Sequence, residues 1–561
     1  MRNTISAIAL SAALFTGLRV MGQTPAKARD SAELAARRIP ADPYNAKFRP
    51  QFHFSPKEHW MNDPNGMVFF HGVYHLFFQY YPDDIVWGPM HWGHATSKDL
   101  AHWKEQPIAL FPDRLGYIFS GSAVVDSGNT SGFGRPGQLP LVAIFTQHDA
   151  KGEKSGAVDF QNQSIAYSLD EGKTWTKYEN NPVLKNPGIK DFRDPKVMWY
   201  APGKKWVMTL AAADHIEFWS SPDLKEWKKE SGFGAGVGAH GGVWECPDLF
   251  SMQLGGVEYW VLLVSSNPGG PNGGSGTQYF IGRFDGSQFH LLENTIKWID
   301  YGPDDYAGVT WGNTGHRRIF LGWMSNWEYA NQVPTATWRN AMTIPRELQL
   351  QRLSDGIYLS SRPVKEFSAL TPTPAPAGPA VTAVRGSKSV SAASRGAEPV
   401  RTAGKDAAAS AAPRGATAMS RGTTVTSRAN PDSATGRYVV KFEAQQDKDL
   451  FIFLSNDIGE HLIVGYETAT HQYYIDRSRS GKTDFNPNFS KKAFAPRLSS
   501  SKKITISLLV DASSAELFAD GGLTVMTLDF FPTRPFTAVT ARSGNQPVKP
   551  LSRIPVRSIW P

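Results

Sequence analysis

The chain has 561 residues, 41% apolar and 12% aromatic, which is enough for more than one buried core and too apolar for a disordered chain. A formal charge of +8 would invite a polyanion, but eight Lys or Arg against two acids fall in the low-complexity stretch 371–428, so the balance argues against a nucleic-acid partner. A single cysteine, Cys246, excludes an intrachain disulfide framework.

Met1-Arg2-Asn3 and the apolar run 5–18 predict a signal peptide over residues 1–22, too short to span a bilayer. No later segment is apolar enough to cross one. The mature protein is therefore expected to be exported, periplasmic or extracellular, without stable membrane insertion. Residues 23–51 form the N-terminal lead-in, of which 23–46 are polar, Ala- and Arg-rich and read as a flexible lead-in or short helix.

From Phe52 the texture changes to short apolar runs separated by Gly, Pro, Asn and Asp, which predicts an all-β fold. Trp60-Met61-Asn62-Asp63-Pro64-Asn65-Gly66 opens this region. Its Asp-Pro-Asn-Gly core suits a tight bend. A Ser-x-Asp turn followed by an aromatic recurs at Ser97-Lys98-Asp99, Ser168-Leu169-Asp170 and Ser221-Pro222-Asp223, with weaker copies at Asp285 and Asp355. The aspartates are spaced by 71, 53, 62 and 70 residues, too far apart for a helical solenoid and suited to a four-stranded sheet with its loops. Five such units predict a five-bladed β-propeller over residues 52–366.

In phase with these turns, Asp63-Pro64, Asp194-Pro195 and Glu245-Cys246-Pro247 stand just before pairs of apolar strands, at what reads as one equivalent place. The second and fifth units hold Phe119-Ser120-Gly121-Ser122 and Asp304-Asp305-Tyr306 there. Three carboxyls converging on one mouth of a propeller would shift one another's pKa, a cost that points to chemistry. Residues 367–436 read as a low-complexity linker or insertion, and residues 437–561 as a β-sandwich of about seven short strands.

One carboxylic acid to protonate a leaving oxygen and one carboxylate to attack are what glycosidic bond cleavage requires. Tryptophans beside polar clusters, Trp60, Trp87 and Trp327, suit stacking on a sugar face. The histidines form no ligand cluster with the acids, so neither a metal nor another cofactor is expected.

The blocks Trp60–Gly66, Phe119–Ser122, Phe192–Pro195 and Trp244–Asp248, in this order and spacing, resemble the signature blocks of glycoside hydrolase family 32. The resemblance extends through residues 87–103, 300–307, 324–327 and 338–348, and into 473–481 and 509–522. It implies that Asp63 is a nucleophile, Glu245 a general acid/base and Asp194 a transition-state stabiliser. Trp60, Asn62, Gln79, Trp87, Phe119, Ser120, Arg193 and Trp327 would hold a terminal fructose, with Trp323 a rival for Trp327. The implied activity is retaining release of terminal β-D-fructofuranosyl units from levan or inulin, and from sucrose. Sucrose-specific cleavage or fructosyl transfer remain open alternatives. So does a non-catalytic carbohydrate-binding propeller.

Overall fold

The computed structural model describes residues 42–372 and 435–560. The expected signal peptide, most of the lead-in and nearly all of the linker lie outside these residues. Among the described residues, strands dominate and the only α-helical segment is the single turn Ala150–Lys154. No helix there is long and apolar enough to cross a membrane.

Seven sheets carry the strands. Each of the first five has an innermost strand that is buried along part or all of its length: β1 (His59–Phe70), β2 (Tyr117–Val125), β3 (Phe192–Tyr200), β4 (Val243–Leu254) and β5 (Tyr306–Thr310). These five pack side by side in a closed ring, β1 on β2, β2 on β3, β3 on β4, β4 on β5, and β5 back on β1. Each sheet then runs outward by antiparallel hairpins. The ring is fastened by sequence-distant strands, since Trp338–Arg339 pairs in parallel with His59–Trp60.

The repeated Ser-x-Asp unit is the turn that ends the third strand of a sheet. Asp99 accepts the backbone N–H groups of Ala101 and His102, and Asp223 those of Lys225 and Glu226. Asp170 does the same for Thr174, and Asp285 for Ser287 and Gln288. An aspartate side chain here replaces the partners that the departing backbone loses, which is why the residue recurs.

Two sheets close the chain, one ordered Thr524–Asp529, Ser514–Ala519, Lys503–Val510, Tyr438–Gln445, Ser552–Pro555, the other six-stranded. The strands expected from Tyr438 to Leu528 are present. Four more, Ala493–Pro496, Ala538–Ser543, Gln546–Val548 and Ser552–Pro555, are short or exposed and carry weak apolar alternation.

The described end of the lead-in, residues 42–51, is packed: Pro43–Asn45 form a 3-10 helix, in keeping with the short helix among the readings of residues 23–46 and not with the flexible one, and residues 23–41 lie outside the described residues. Tyr44 stacks on Trp560 with ring centroids 4.1 Å apart, and the Gln51 and Phe52 N–H groups donate to Asp511. The aromatic rings and buried backbone partners that fix it come from the far end of the sequence. Beyond Glu366, Phe367 and Leu370 are also buried, within a 3-10 helix over Lys365–Leu370.

The two halves share one core, in which Phe52, Trp103 and Phe367 meet Val439, Leu509 and Phe518. A buried ionic network crosses the same junction. Arg346 donates to Asp300 and Asp305, each at 2.9 Å, and to Glu516, which His53 joins to Asp511 at 2.8 Å per contact. Burial works against charge on His53, but the hydrogen bonds to Asp511 and Glu516 outweigh it and raise its pKa to about 9. A raised histidine contributes stability that is fully present below its unfolded value and lost as pH rises through the folded one. Stability should therefore fall between about pH 6.5 and 9, by roughly 2–3 kcal/mol from this group. In thermal melts across that range, His53→Gln should flatten the decline. A parent enzyme whose melting temperature holds constant from pH 6.5 to 9.5 would contradict this.

Candidate active site

The five ring strands share a local defect. In each, two residues oppose one on the neighbouring strand. Met61 pairs with Tyr80 and Pro64 with Phe78; Ile118 with Gln147 and Gly121 with Phe145; Arg193 with Ala211 and Lys196 with Thr209. Glu245 pairs with Ser265 and Asp248 with Leu263; Tyr306 with Trp323 and Val309 with Leu321. Each is a β-bulge, which bends its strand and re-aims the side chains beside it. The first bulged residue is left-handed in three strands: Asp194 at φ 66°, Cys246 at 45° and Ala307 at 54°. For non-glycine residues this conformation costs about 1–3 kcal/mol.

Two sequence expectations change here. Trp60–Gly66 is part of strand β1 and not a turn before it; its proline stands directly after the bulge, paired with Phe78. The three acids are also not at one equivalent place. Glu245 stands before its bulge, Asp194 is the first bulged residue of β3, and Asp63 the second of β1. Pro195 and Pro247 are the true equivalents of Asp63, so matching acid to acid misaligns β3 by one residue and β4 by two.

The bulges border a pocket of about 270 Å³, at the small end of ligand sites, with Asp63, Asp194 and Glu245 in its wall. A second cavity of about 390 Å³ opens at the other end of the same strands and shares no lining residue with it. Between the bulges and that cavity, Asp248 holds Lys196 at 3.3 Å and accepts from the Thr310 backbone and hydroxyl. The pocket is thus closed at its floor.

Asp63 accepts from Asn62 Nδ2 at 2.9 Å and from Ser120 Oγ at 2.6 Å, one donor to each carboxylate oxygen. The Cys246 thiol lies 3.5 Å from Asp63 Oδ2 and 3.6 Å from Asp194 Oδ2, and the Cys246 N–H donates to Asp194 at 3.1 Å. Arg193 grips Glu245 Oε1 through Nε and Nη2 at 3.1 and 3.0 Å, and Asp191 through Nη1 at 2.7 Å. The Tyr306 hydroxyl donates to Glu245 Oε2.

Burial raises the pKa of Asp63, against the hydrogen bonds from Ser120 and Asn62. Burial also raises Asp194, to about 7; Arg193 opposes the rise, while the Glu245 and Asp63 charges add to it. Burial pushes the Cys246 thiol and the Tyr306 phenol well above their usual values, so both are protonated donors. With Asp194 raised to about 7 by burial and by its two acidic neighbours, the cluster holds a proton below about pH 7, a property shared with the neighbours that shift it.

The side walls are aromatic. Phe119 stacks on His148 with centroids 4.2 Å apart and meets the exposed edge of Trp87 at 6.0 Å. Trp327 faces them, and Gln79, held to Asn65 at 2.7 Å, completes the inner wall. Trp60 does not line the pocket. It is fully buried, donates to Asn62 Oδ1 at 2.7 Å and stacks behind Trp327 at 5.9 Å. Through these two contacts its part is to hold Asn62 and Trp327. Trp323, the rival for Trp327, is likewise buried behind the wall.

Tyr306, Asp191, His148 and Gln161 were not among the expected contacts. Tyr306 had a signal, because it occupies the fifth unit's place in the register that exposed the acids. Asp191 and the His148–Gln161 pair had none. Among the described residues, no group of three or more His, Cys, Asp or Glu is arranged to hold a metal ion.

A closed pocket walled by aromatic rings and ending on several carboxyls, on an all-β scaffold, is the equipment of a glycoside hydrolase. Residues 53–363 match the family model for the glycosyl hydrolases family 32 N-terminal domain, and residues 409–558 that for the family's C-terminal part. The chain is 44% identical over 529 residues to a levanase of Bacillus subtilis (strain 168), covering 92% of this chain and 72% of that one. It is 38% identical over 534 residues to an extracellular exo-inulinase of Aspergillus niger, covering 89% and 92%. A crystal structure of exo-inulinase from Aspergillus awamori superposes with a TM-score of 0.77 at 33% identity, covering 92% of this chain and all of that one. The chain belongs to glycosyl hydrolases family 32.

An acid whose folded pKa is raised contributes stability while protonated and loses it as pH rises from its unfolded value through the folded one, here about 4 to about 7. Asp194→Asn keeps the acceptor for the Cys246 N–H and removes the ionisation. The variant should exceed the parent in stability by roughly 1–3 kcal/mol at pH 8 and differ little at pH 4. Equal melting temperatures at pH 8 would contradict the shared-proton cluster.

Proposed function

We propose that the chain is an exported, retaining, exo-acting fructosidase that releases terminal β-D-fructofuranosyl units from levan or inulin, and from sucrose. Two features support exo action. The pocket shares no lining residue with the cavity at the other end of the strands, and its volume of about 270 Å³ is on the scale of one sugar unit. The names of the relatives favour fructan over sucrose as the main substrate. Secretion through residues 1–22 is in keeping with the extracellular relative. The ring of five strands supports a five-bladed β-propeller over about residues 52–366, and the last two sheets a β-sandwich over residues 437–561.

Within this reading Asp63 is the nucleophile. Asn62 and Ser120 fix both its oxygens and favour its ionised form, whereas Glu245 is oriented by the Tyr306 phenol and the Arg193 guanidinium. Asp63 attacks the anomeric carbon of the fructosyl unit as Glu245 gives its proton to the departing glycosidic oxygen, leaving a fructosyl ester on Asp63. Water then attacks the same carbon, its proton passes to the Glu245 carboxylate, and the ester bond breaks to restore Asp63. Asp194 faces the ring as positive charge develops and strengthens its contacts with the sugar hydroxyls. Catalysis in this reading needs the cluster with its proton still in place, and Asp194 is raised to about 7.

Asp63→Asn and Glu245→Gln should each lower kcat by at least about a thousandfold with the fold intact, as measured on sucrose, inulin and levan. Fructose should be the sole early product from inulin and levan. A ladder of oligosaccharides would contradict exo action, and net chain growth at high sucrose would favour the transferase alternative. The pH profile of kcat/KM should fall above about pH 7, where the cluster loses its proton. Activity that stays level from pH 6 to pH 9 would rule out the shared proton as its source.

A further inference from the structure

We infer that the C-terminal module shapes the sugar pocket through Asn486 and Arg477, which pin the segment 326–332 from behind. This segment carries one aromatic wall and holds the other. Trp327 projects from it into the pocket, and Asn331 Oδ1 accepts the Trp87 N–H at 2.9 Å across the mouth. Within the first five sheets, Arg339 donates to the Asn331 carbonyl and, at 2.9 Å, to the Val333 carbonyl, while the side chains of Asn331 and Gln332 stay exposed.

The remaining anchors come from the far end of the sequence. Asn486 Nδ2 donates to the Glu328 carbonyl at 2.9 Å and to Gln332 Oε1 at 3.0 Å. The Arg477 guanidinium, buried over the Phe489 ring at 3.8 Å, donates to the Tyr329 hydroxyl at 2.7 Å, and Tyr329 in turn donates to Asp304. Tyr329 meets Phe489 edge-on at 5.2 Å. Both sides of Trp327 in the sequence are therefore settled: Asn326 by Ser275 and Pro303, and Glu328 to Gln332 by the C-terminal module. Asn486 and Arg477 touch no pocket space and are positioning residues. Rigid placement of an aromatic wall governs how tightly the ring is held in ground and transition state alike, so its loss appears mainly in KM.

Asn486→Asp separates this role from local folding. The carboxylate still accepts the Asn488 N–H, now made by Asn486 Oδ1 at 2.8 Å, but it cannot donate to the segment. We expect KM for sucrose and for inulin, and Ki for free fructose, to rise together by roughly three- to tenfold, with kcat changed by less than about twofold. Gln332→Ala, at an exposed residue, removes only one acceptor and should move KM and Ki the same way by about twofold. In a Trp327→Phe background the effect of Asn486→Asp should shrink, because the two act through one wall. Unchanged KM and Ki in both variants, or an undiminished effect in the Trp327→Phe background, would overturn the inference. The assay substrates follow from the fructosidase reading, and a parent enzyme inactive on sucrose, inulin and levan would refute that reading instead; Ki for fructose would then be replaced by direct titration of fructose into parent and variant.

Discussion

The site depends on one backbone irregularity repeated five times. A regular strand sends alternate side chains to opposite faces, so a ring of ideal strands could offer its centre only every second residue. Two residues opposing one at the same depth in all five ring strands break that alternation. Residues before, within and after the bulge can then face the same space. That is how Glu245, Asp194 and Asp63 reach one pocket from three successive register positions, with Ser120 and Tyr306 supplied by the two strands that carry no acid there.

Gathering the carboxyls is costly, and the surrounding donors determine how that cost is distributed. Burial raises both Asp63 and Asp194, yet their partners differ: Asp63 has a hydroxyl and an amide, while Asp194 has a backbone N–H and the buried thiol it shares with Asp63. One arginine cannot neutralise three acids at once, and burial keeps a proton on Asp194 up to about pH 7. The left-handed residues Asp194 and Cys246 are the strained link between bulge and cluster. The rest of the fold holds them there, including a junction core and ionic network that tie the two halves together and pin the wall segment.

What the sequence disclosed was what is local. Alternating apolar runs and Ser-x-Asp turns gave the strand hairpins, because an aspartate that caps its own turn is a short-range event. The acids stood out because carboxyls beside proline in apolar surroundings are rarely packing residues. Direction was harder to read. Trp60 and Asp63 lie three residues apart, and only the bulge decides which faces the sugar. The misreading of Asp194 and Glu245 as equivalent has the same source, since one inserted residue is invisible until its cross-strand partner is known. Contacts such as Arg346 with Glu516, or Asn486 with Glu328, join residues more than 150 positions apart, and neither end carries a local mark of the other.

The central claim is that the bulged strand β1 aims Asp63 at the anomeric carbon while Glu245 serves the leaving group. The most direct measurement is to trap the intermediate: Glu245→Gln enzyme is treated with a fructosyl fluoride, which needs no acid to depart, then digested and examined by mass spectrometry. The account predicts one added fructosyl unit on the peptide containing Asp63 and its absence when Asp63→Asn is introduced as well. A fructosyl unit on any other peptide, or free fructose of inverted configuration with no adduct, would contradict it.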